Sequence, residues 1–187
     1  MTGVQTCALP IFFGRHNALN AIAASAAALR MGVDPADIAA GLASFEGAGR
    51  RMEFKGKCNG ADVYDDYAHH PGELHALIDA INALGYKRVI VAFQPHTYSR
   101  TKALFDDFVR ELRRVDHAVL AEIYAARESN TIGISSEDLS RQIRDSVFFE
   151  TLPEVTDYLR SIAQPGDLIV TVGAGDIYKA GEALVTE

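Results

Sequence analysis

Tryptophan is absent from the 187-residue sequence, and cysteine occurs only twice, at Cys7 and Cys58. Two cysteines so far apart make no CxxC pair and no disulfide framework, which leaves the cytosol as the simplest compartment. No apolar run reaches the ~18 residues expected of a membrane span. Basic residues are outnumbered: 18 Lys and Arg against 25 Asp and Glu give a net charge of −7. The electrostatic footprint of a general nucleic-acid binder is therefore missing, although a local arginine cluster can still bind an anion. Also missing are a GxxxxGK-S/T loop and a complete GxGxxG fingerprint after an early strand. The chain thus carries no P-loop of its own and does not read as a dinucleotide oxidoreductase. What is present is ordinary for a globular protein: 48% apolar and 23% charged residues, enough to bury a core.

The first eleven residues show neither helical nor strand periodicity, and they lack the basic start and long apolar centre of a signal peptide. Thr2 to Ile11 reads as the translation of a common sequencing-adapter oligonucleotide. Residues 1–11 are therefore expected to be non-native, with natural sequence from Phe12 or Phe13 and a longer parent protein.

Beyond that point the texture is helical and then alternating. Ala18 to Met31 is alanine-rich, with Asn17 as the expected cap and Gly32 as the stop; it reads as a buried helix. Asp34-Pro35 opens a second helix. Glu46 to Arg51 is a glycine-rich break and the expected domain boundary. Two short strands, 52–57 and 61–64, flank an Asn59-Gly60 hairpin turn. Helices are expected over 71–84, 99–113, 135–144, 153–162 and 176–184, and strands over 88–93, 118–123, 147–149 and 167–172. Strands alternating with helices predict an α/β fold with a mostly parallel sheet. Ligands then belong at the carboxyl ends of the strands: Asp65 to His70, Gln94 to Arg100, Glu122 to Arg127 and Gly173 to Asp176.

Two of these ends are rich in chemistry. Asp65-Asp66-Tyr67-Ala68-His69-His70-Pro71 crowds carboxylates and imidazoles onto one strand-to-helix turn, and a buried strand has no structural use for paired Asp or His. Solvated caps and surface histidines are the plain alternative, but six such residues together favour a site. Zinc is a poor reading, since His69-His70 is no HExxH helix and no cysteine pair supports it, and no metal site is expected within the chain. In Gln94-Pro95-His96-Thr97-Tyr98-Ser99-Arg100, Ser99 is the expected cap. An arginine at a helix start opposes the macrodipole unless an anion is present, and Arg suits bidentate capture of one. Gly49-Arg50-Arg51 taken alone reads as a solvated basic pair. Gly173-Ala174-Gly175 reads as tight strand–helix packing, since a lone GxG is weak.

In chain order, Gly14-Arg15-His16-Asn17-Ala18-Leu19-Asn20, Arg50-Arg51, Asp65 to Pro71 and Phe93 to Thr101 resemble the C-terminal part of a Mur ligase. The likeness runs from Phe12 to Glu187. It implies a Rossmann-like C-terminal domain over 51–187, preceded over 12–50 by a helical remnant of a central ATP-binding domain. It also implies a cytoplasmic ATP-dependent acid–amino-acid ligase of peptidoglycan synthesis, with this piece inactive alone. UDP-N-acetylmuramate and L-alanine are the implied substrates, and ATP and Mg2+ the implied cofactors, the magnesium ligands lying upstream. No nucleic acid or membrane partner is implied. By resemblance His16, Asn17 and Asn20 face adenine, Arg51 reaches the ATP phosphates, and Asp66, with Asp65 beside it, holds the ribose. Tyr67, His69, His96 and Arg100 line the amino-acid side, Arg100 taking the L-alanine carboxylate. Arg51, Asp66 and His69 are the implied catalytic set. Some family members have an arginine where this chain has Thr97, which puts a two-arginine clamp in doubt. A tripeptide-recycling muropeptide ligase and a non-catalytic binding module are the alternatives.

Overall fold

The structure is a computed structural model that describes residues 15–45 and 48–186. The adapter-like segment, Gly14, part of the glycine-rich break at Glu46-Gly47, and the side chains of Arg15 and His16 lie outside the described residues. Contacts divide the chain into two compact units, one ending at Ala48 and the other starting at Gly49.

The first unit holds helices α1 (Arg15–Arg30) and α2 (Pro35–Ala43). Gly32, at φ +85°, turns the chain after α1. Asp34 caps α2, its Oδ1 accepting from the Ala36 N–H at 2.8 Å, and Pro35 takes the first helical position. Two expectations fail. Asn17 lies inside α1 rather than capping it. No described side chain of α1 is buried, with Ile22 64% and Leu29 52% exposed. An alanine-rich helix is buried only when a facing layer covers it, and the described partner within this unit is the nine-residue α2.

The second unit is a six-stranded sheet. Its strands are β1 (Glu53–Cys58), β2 (Ala61–Asp66), β3 (Arg88–Phe93), β4 (His117–Ala121), β5 (Ser146–Phe149) and β6 (Asp167–Val172). They lie in the order β1-β2-β6-β3-β4-β5. β1 and β2 pair antiparallel through Asn59-Gly60, both at positive φ, as a tight hairpin turn demands. Every other pairing is parallel. Helices α3 (Pro71–Asn82) and α5 (Phe105–Leu112) cover one face, placing Leu74, Ile78 and Phe108 on Val89, Val91 and Phe93. Helices α7 (Leu152–Ile162) and α8 (Tyr178–Val185) cover the other, placing Val155, Leu159 and Leu184 against Ile90, Ala92 and Val119. Alternate residues of β3 thus feed opposite cores, and a strand buried on both faces reads as a continuous apolar run.

The helix expected over 99–113 is two: α4 (Tyr98–Ala103) and α5, separated at Leu104, which leaves helical geometry at φ −115°, ψ 23°. Leu104 and Phe105 pack against the core at that break. Thr97, not Ser99, precedes α4. The helix expected over 135–144 is the shorter α6 (Ser136–Ser140), because Ser135 and Asp138 form its capping box and Arg141 already ends it. Asp65 and Asp66 still belong to β2.

Candidate functional site

Sheet register places the four candidate loops on one edge. Asp66 is opposite Val172, Val172 opposite Phe93, and Phe93 opposite Leu120. The loops after β2, β6, β3 and β4 therefore leave the sheet side by side. The loop after β6 lies between the two chemically rich turns.

At the end of β2 the two aspartates have separate tasks. Asp65 is wholly buried. Its carboxylate accepts from Arg50 Nε at 2.8 Å and from the Thr171 hydroxyl at 2.7 Å. A buried strand thus does have a use for this carboxylate: it neutralises a guanidinium. Asp66 is 6% exposed, and its two oxygens accept the N–H groups of Met52 at 2.9 Å and Ala68 at 2.8 Å. Burial pushes its carboxyl above the usual range, against the pull of those two N–H groups. Each oxygen keeps a lone pair for a further donor.

The histidines divide in the same way. His70 caps α3: its Nδ1 accepts from Gly72 N–H, while Glu73 accepts from the N–H groups of His69 and His70. Burial would raise the Glu73 carboxyl, but the His69 N–H, the nearby His69 ring and the His70 N–H hold it below the usual value. His69 points along the sheet edge. Its Nδ1 lies 3.0 Å from the Tyr67 carbonyl, and its ring is 5.4 Å from Tyr67 and 6.2 Å from His96.

His96 and Arg100 meet at the end of β3. The chain runs on beside the loop after β4: Tyr124 N–H donates to Pro95 O, and Thr97 N–H donates to Tyr124 O, both at 2.9 Å. This pairing stacks the His96 ring on Tyr124 at 5.6 Å. Thr97 takes φ +70°, which a β-branched residue rarely adopts, and its side chain does not cap α4. Glu128 supplies the cap from across the edge, accepting the Ser99 N–H at 2.9 Å and the Ser99 hydroxyl. Those two bonds hold the Glu128 carboxyl below its usual range. His96 Nδ1 and Arg100 Nη1 are buried without a hydrogen-bond partner among the described residues. An unsatisfied buried polar group costs about 1–3 kcal/mol, more when charged, so each of these two nitrogens has capacity left for a hydrogen-bond partner. Burial, with Arg100 and His69 close by, holds the His96 imidazole below its ordinary value, so it is neutral near pH 7.

The two arginines of the linker are opposites. Arg50 is locked into the second unit, whereas Arg51 is exposed, its guanidinium 5.6 Å from the Tyr67 ring. The glycines after β6 serve contact between loops as well as strand–helix packing, since a Cβ on Gly173 would come 3.3 Å from Cγ2 of Ile177 at the start of α8. A Cβ on Gly173 would come 2.7 Å from Gln94 O, and one on Gly175 would come 2.7 Å from Tyr124 Cγ. In the first unit, Asn17 is half-buried, and exposed Asn20 reaches its Oδ1 at 3.5 Å, the long limit of a hydrogen bond. His16 lies in α1. The structure thus brings Arg51, Asp66, Tyr67, His69, His96 and Arg100 to one edge of one unit. Tyr124 and Glu128 belong with them. The strand-end rule pointed at 122–127 but marked no residue there, and no local signal marked Glu128.

A parallel sheet carrying such side chains at its carboxyl edge defines a Rossmann-like ligand-binding domain. The Mur ligase, glutamate ligase domain family matches residues 50–175, and the chain belongs to that family. Within it, the chain is similar to UDP-N-acetylmuramate–L-alanine ligases. That of Lachnospira eligens is 48% identical over 176 residues, 92% of this chain and 38% of the relative. That of Agathobacter rectalis is 44% identical over the same shares. Among solved structures, the UDP-N-acetylmuramate-alanine ligase of Thermotoga maritima matches with a TM-score of 0.76 and 27% identity, over 92% of this chain and 37% of that one. The chain therefore spans under two-fifths of the length of these relatives.

Proposed function

We propose that this chain forms the amino-acid side, and part of the nucleotide side, of a cytoplasmic ligase that joins L-alanine to UDP-N-acetylmuramate with ATP. In that reaction ATP phosphorylates the lactyl carboxylate, and the alanine amino group displaces phosphate from the acyl phosphate. The observation that carries the reading is the Arg100 guanidinium nitrogen, buried without a hydrogen-bond partner among the described residues. A small amino acid brings the missing carboxylate, and a planar guanidinium binds it through paired donors. With Thr97 where some family members have a second arginine, Arg100 is the guanidinium that holds the carboxylate. His69 with its proton on Nδ1, donated to the Tyr67 carbonyl, keeps Nε2 as an acceptor for a proton of the incoming amine.

Arg51, exposed beside Tyr67, suits a nucleotide phosphate, and the spare lone pairs of Asp66 suit a ribose hydroxyl. His16, Asn17 and Asn20 are proposed for the adenine side. Mg2+ is assigned, on the likeness to the Mur ligases, to residues of the parent protein outside this chain. Bound magnesium would offset phosphate charge. No helix among the described residues is long and apolar enough to cross a membrane.

Arg100→Lys in the full-length ligase tests the reading. It keeps the charge and removes the planar fork, so KM for L-alanine should rise at least about tenfold while KM for UDP-N-acetylmuramate stays put. An unchanged alanine KM would sink the assignment.

A further inference from the structure

Arg50 has no role in the reaction proposed above, yet it is the most fully engaged side chain of the site edge. All three guanidinium nitrogens are used: Nε on Asp65 at 2.8 Å, Nη1 on Gly175 O at 3.2 Å and Nη2 on Gly173 O at 2.6 Å. Its Cζ also lies over two aromatic rings, Tyr67 at 5.0 Å and Tyr178 at 4.7 Å. Asp65, the counter-charge, is itself held by Thr171 of β6. One side chain therefore ties the linker to the end of β2, the loop after β6 and the start of α8.

The backbone around it is stitched as well. Tyr67 N–H donates to Arg50 O at 2.7 Å, and Met52 N–H donates to Asp66 Oδ2 at 2.9 Å. Arg50 and Met52 both sit at positive φ, +58° and +46°. Neither is glycine, and such conformations persist only where the surroundings over-determine them. Between these two strained residues stands Arg51, whose side chain is exposed. The charge of Arg50 is spent on a buried carboxylate, so it is not itself a phosphate ligand.

We infer that Arg50 is a positioning residue, a half-buried guanidinium staple that fixes Arg51 and Asp66 relative to one another and to the loop after β6. The strained turn aims Arg51; Asp65 and Arg50 together hold the turn. Everything from Arg50 onward is thereby part of the second unit. The inference that this serves nucleotide binding rests on the reading of Arg51 and Asp66 given above.

Two measurements separate the staple from that reading. Amide hydrogen exchange on this chain with Arg50→Lys, and separately Asp65→Asn, should accelerate at Met52 and Tyr67 while Val91 in β3 keeps its protection. Unchanged exchange at Met52 and Tyr67, or acceleration throughout the sheet in both variants, would overturn the staple. In the full-length ligase either substitution should raise KM for ATP between about tenfold and a hundredfold, with KM for L-alanine unchanged. The double variant should be no worse than the more impaired single one, because the pair acts as a unit. A normal ATP KM in both variants would refute the positioning role. If instead Arg51→Lys alone leaves the ATP KM normal, the phosphate assignment of Arg51 fails while the exchange result still stands for the staple.

Discussion

At Asp66 two demands meet on one carboxylate. It closes the β2 turn by accepting two backbone N–H groups, and in the proposed reaction it also accepts a ribose hydroxyl. Its neighbour Asp65 shows that adjacent aspartates were legible as a cluster but not as individuals. Successive strand residues point to opposite faces, and the face holding Thr171 and Arg50 lies more than a hundred residues away at Thr171. His96 gives a residue-scale prediction. Its folded pKa lies below its usual 6.5, so the stability it contributes is present above that value and is lost as pH falls through the folded value. Urea unfolding of this chain at pH 7.5 and pH 5 should therefore show a larger loss for the native protein than for His96→Gln. The five other histidines are common to both proteins. Equal losses would remove His96 as the source.

At the scale of elements, local chemistry was readable wherever a helix begins with its own cap. Asp34-Pro35 caps α2 as its sequence dictates, and Ser135 with Asp138 and Thr151 with Glu154 form the same kind of local cap in the structure. The helix α4 was misread because its cap comes from elsewhere in the chain: Glu128 stands in for the side chain that Thr97 does not offer. For α3, Glu73 accepts both His69 and His70 N–H groups and so also fixes the turn that carries His69. Glu73→Ala should destabilise the chain by about 0.5–2 kcal/mol in urea unfolding at pH 7. Because its folded pKa lies below the usual 4.5, that contribution is lost as pH falls through the folded value, and the deficit should shrink in acid. A deficit that does not change between pH 7 and pH 3 would contradict the assigned bonds.

At the scale of the whole molecule, the second unit has a core on each face of its sheet, built from its own strands and helices. Residues 49–187 made alone should therefore unfold in one cooperative step, with circular dichroism and tyrosine fluorescence giving coincident urea transitions. Separate midpoints would show that this unit does not unfold as one cooperative body. The first unit presents a different surface, with Leu19, Ile22, Leu29, Met31, Val33 and Phe45 all exposed. The apolar pattern of α1 was readable as a helix but not as an exposed one, since burial is set by the layer opposite and not by the helix itself.

The sequence by itself determined the order and type of the elements, the hairpin turn at Asn59-Gly60, and the strand ends at which ligand chemistry collects. These follow from periodicity, turn residues and the right-handed parallel connection, all local or nearly local in origin. Only the tertiary structure decided which of two adjacent arginines is a staple and which is exposed. It likewise decided which aspartate is neutralised and which histidine caps a helix while its neighbour faces the site. Each pair is chemically identical along the chain. The choice is made by Thr171, Gly173, Gly175 and Tyr178, which register and close packing bring to the linker from the far end of the sequence.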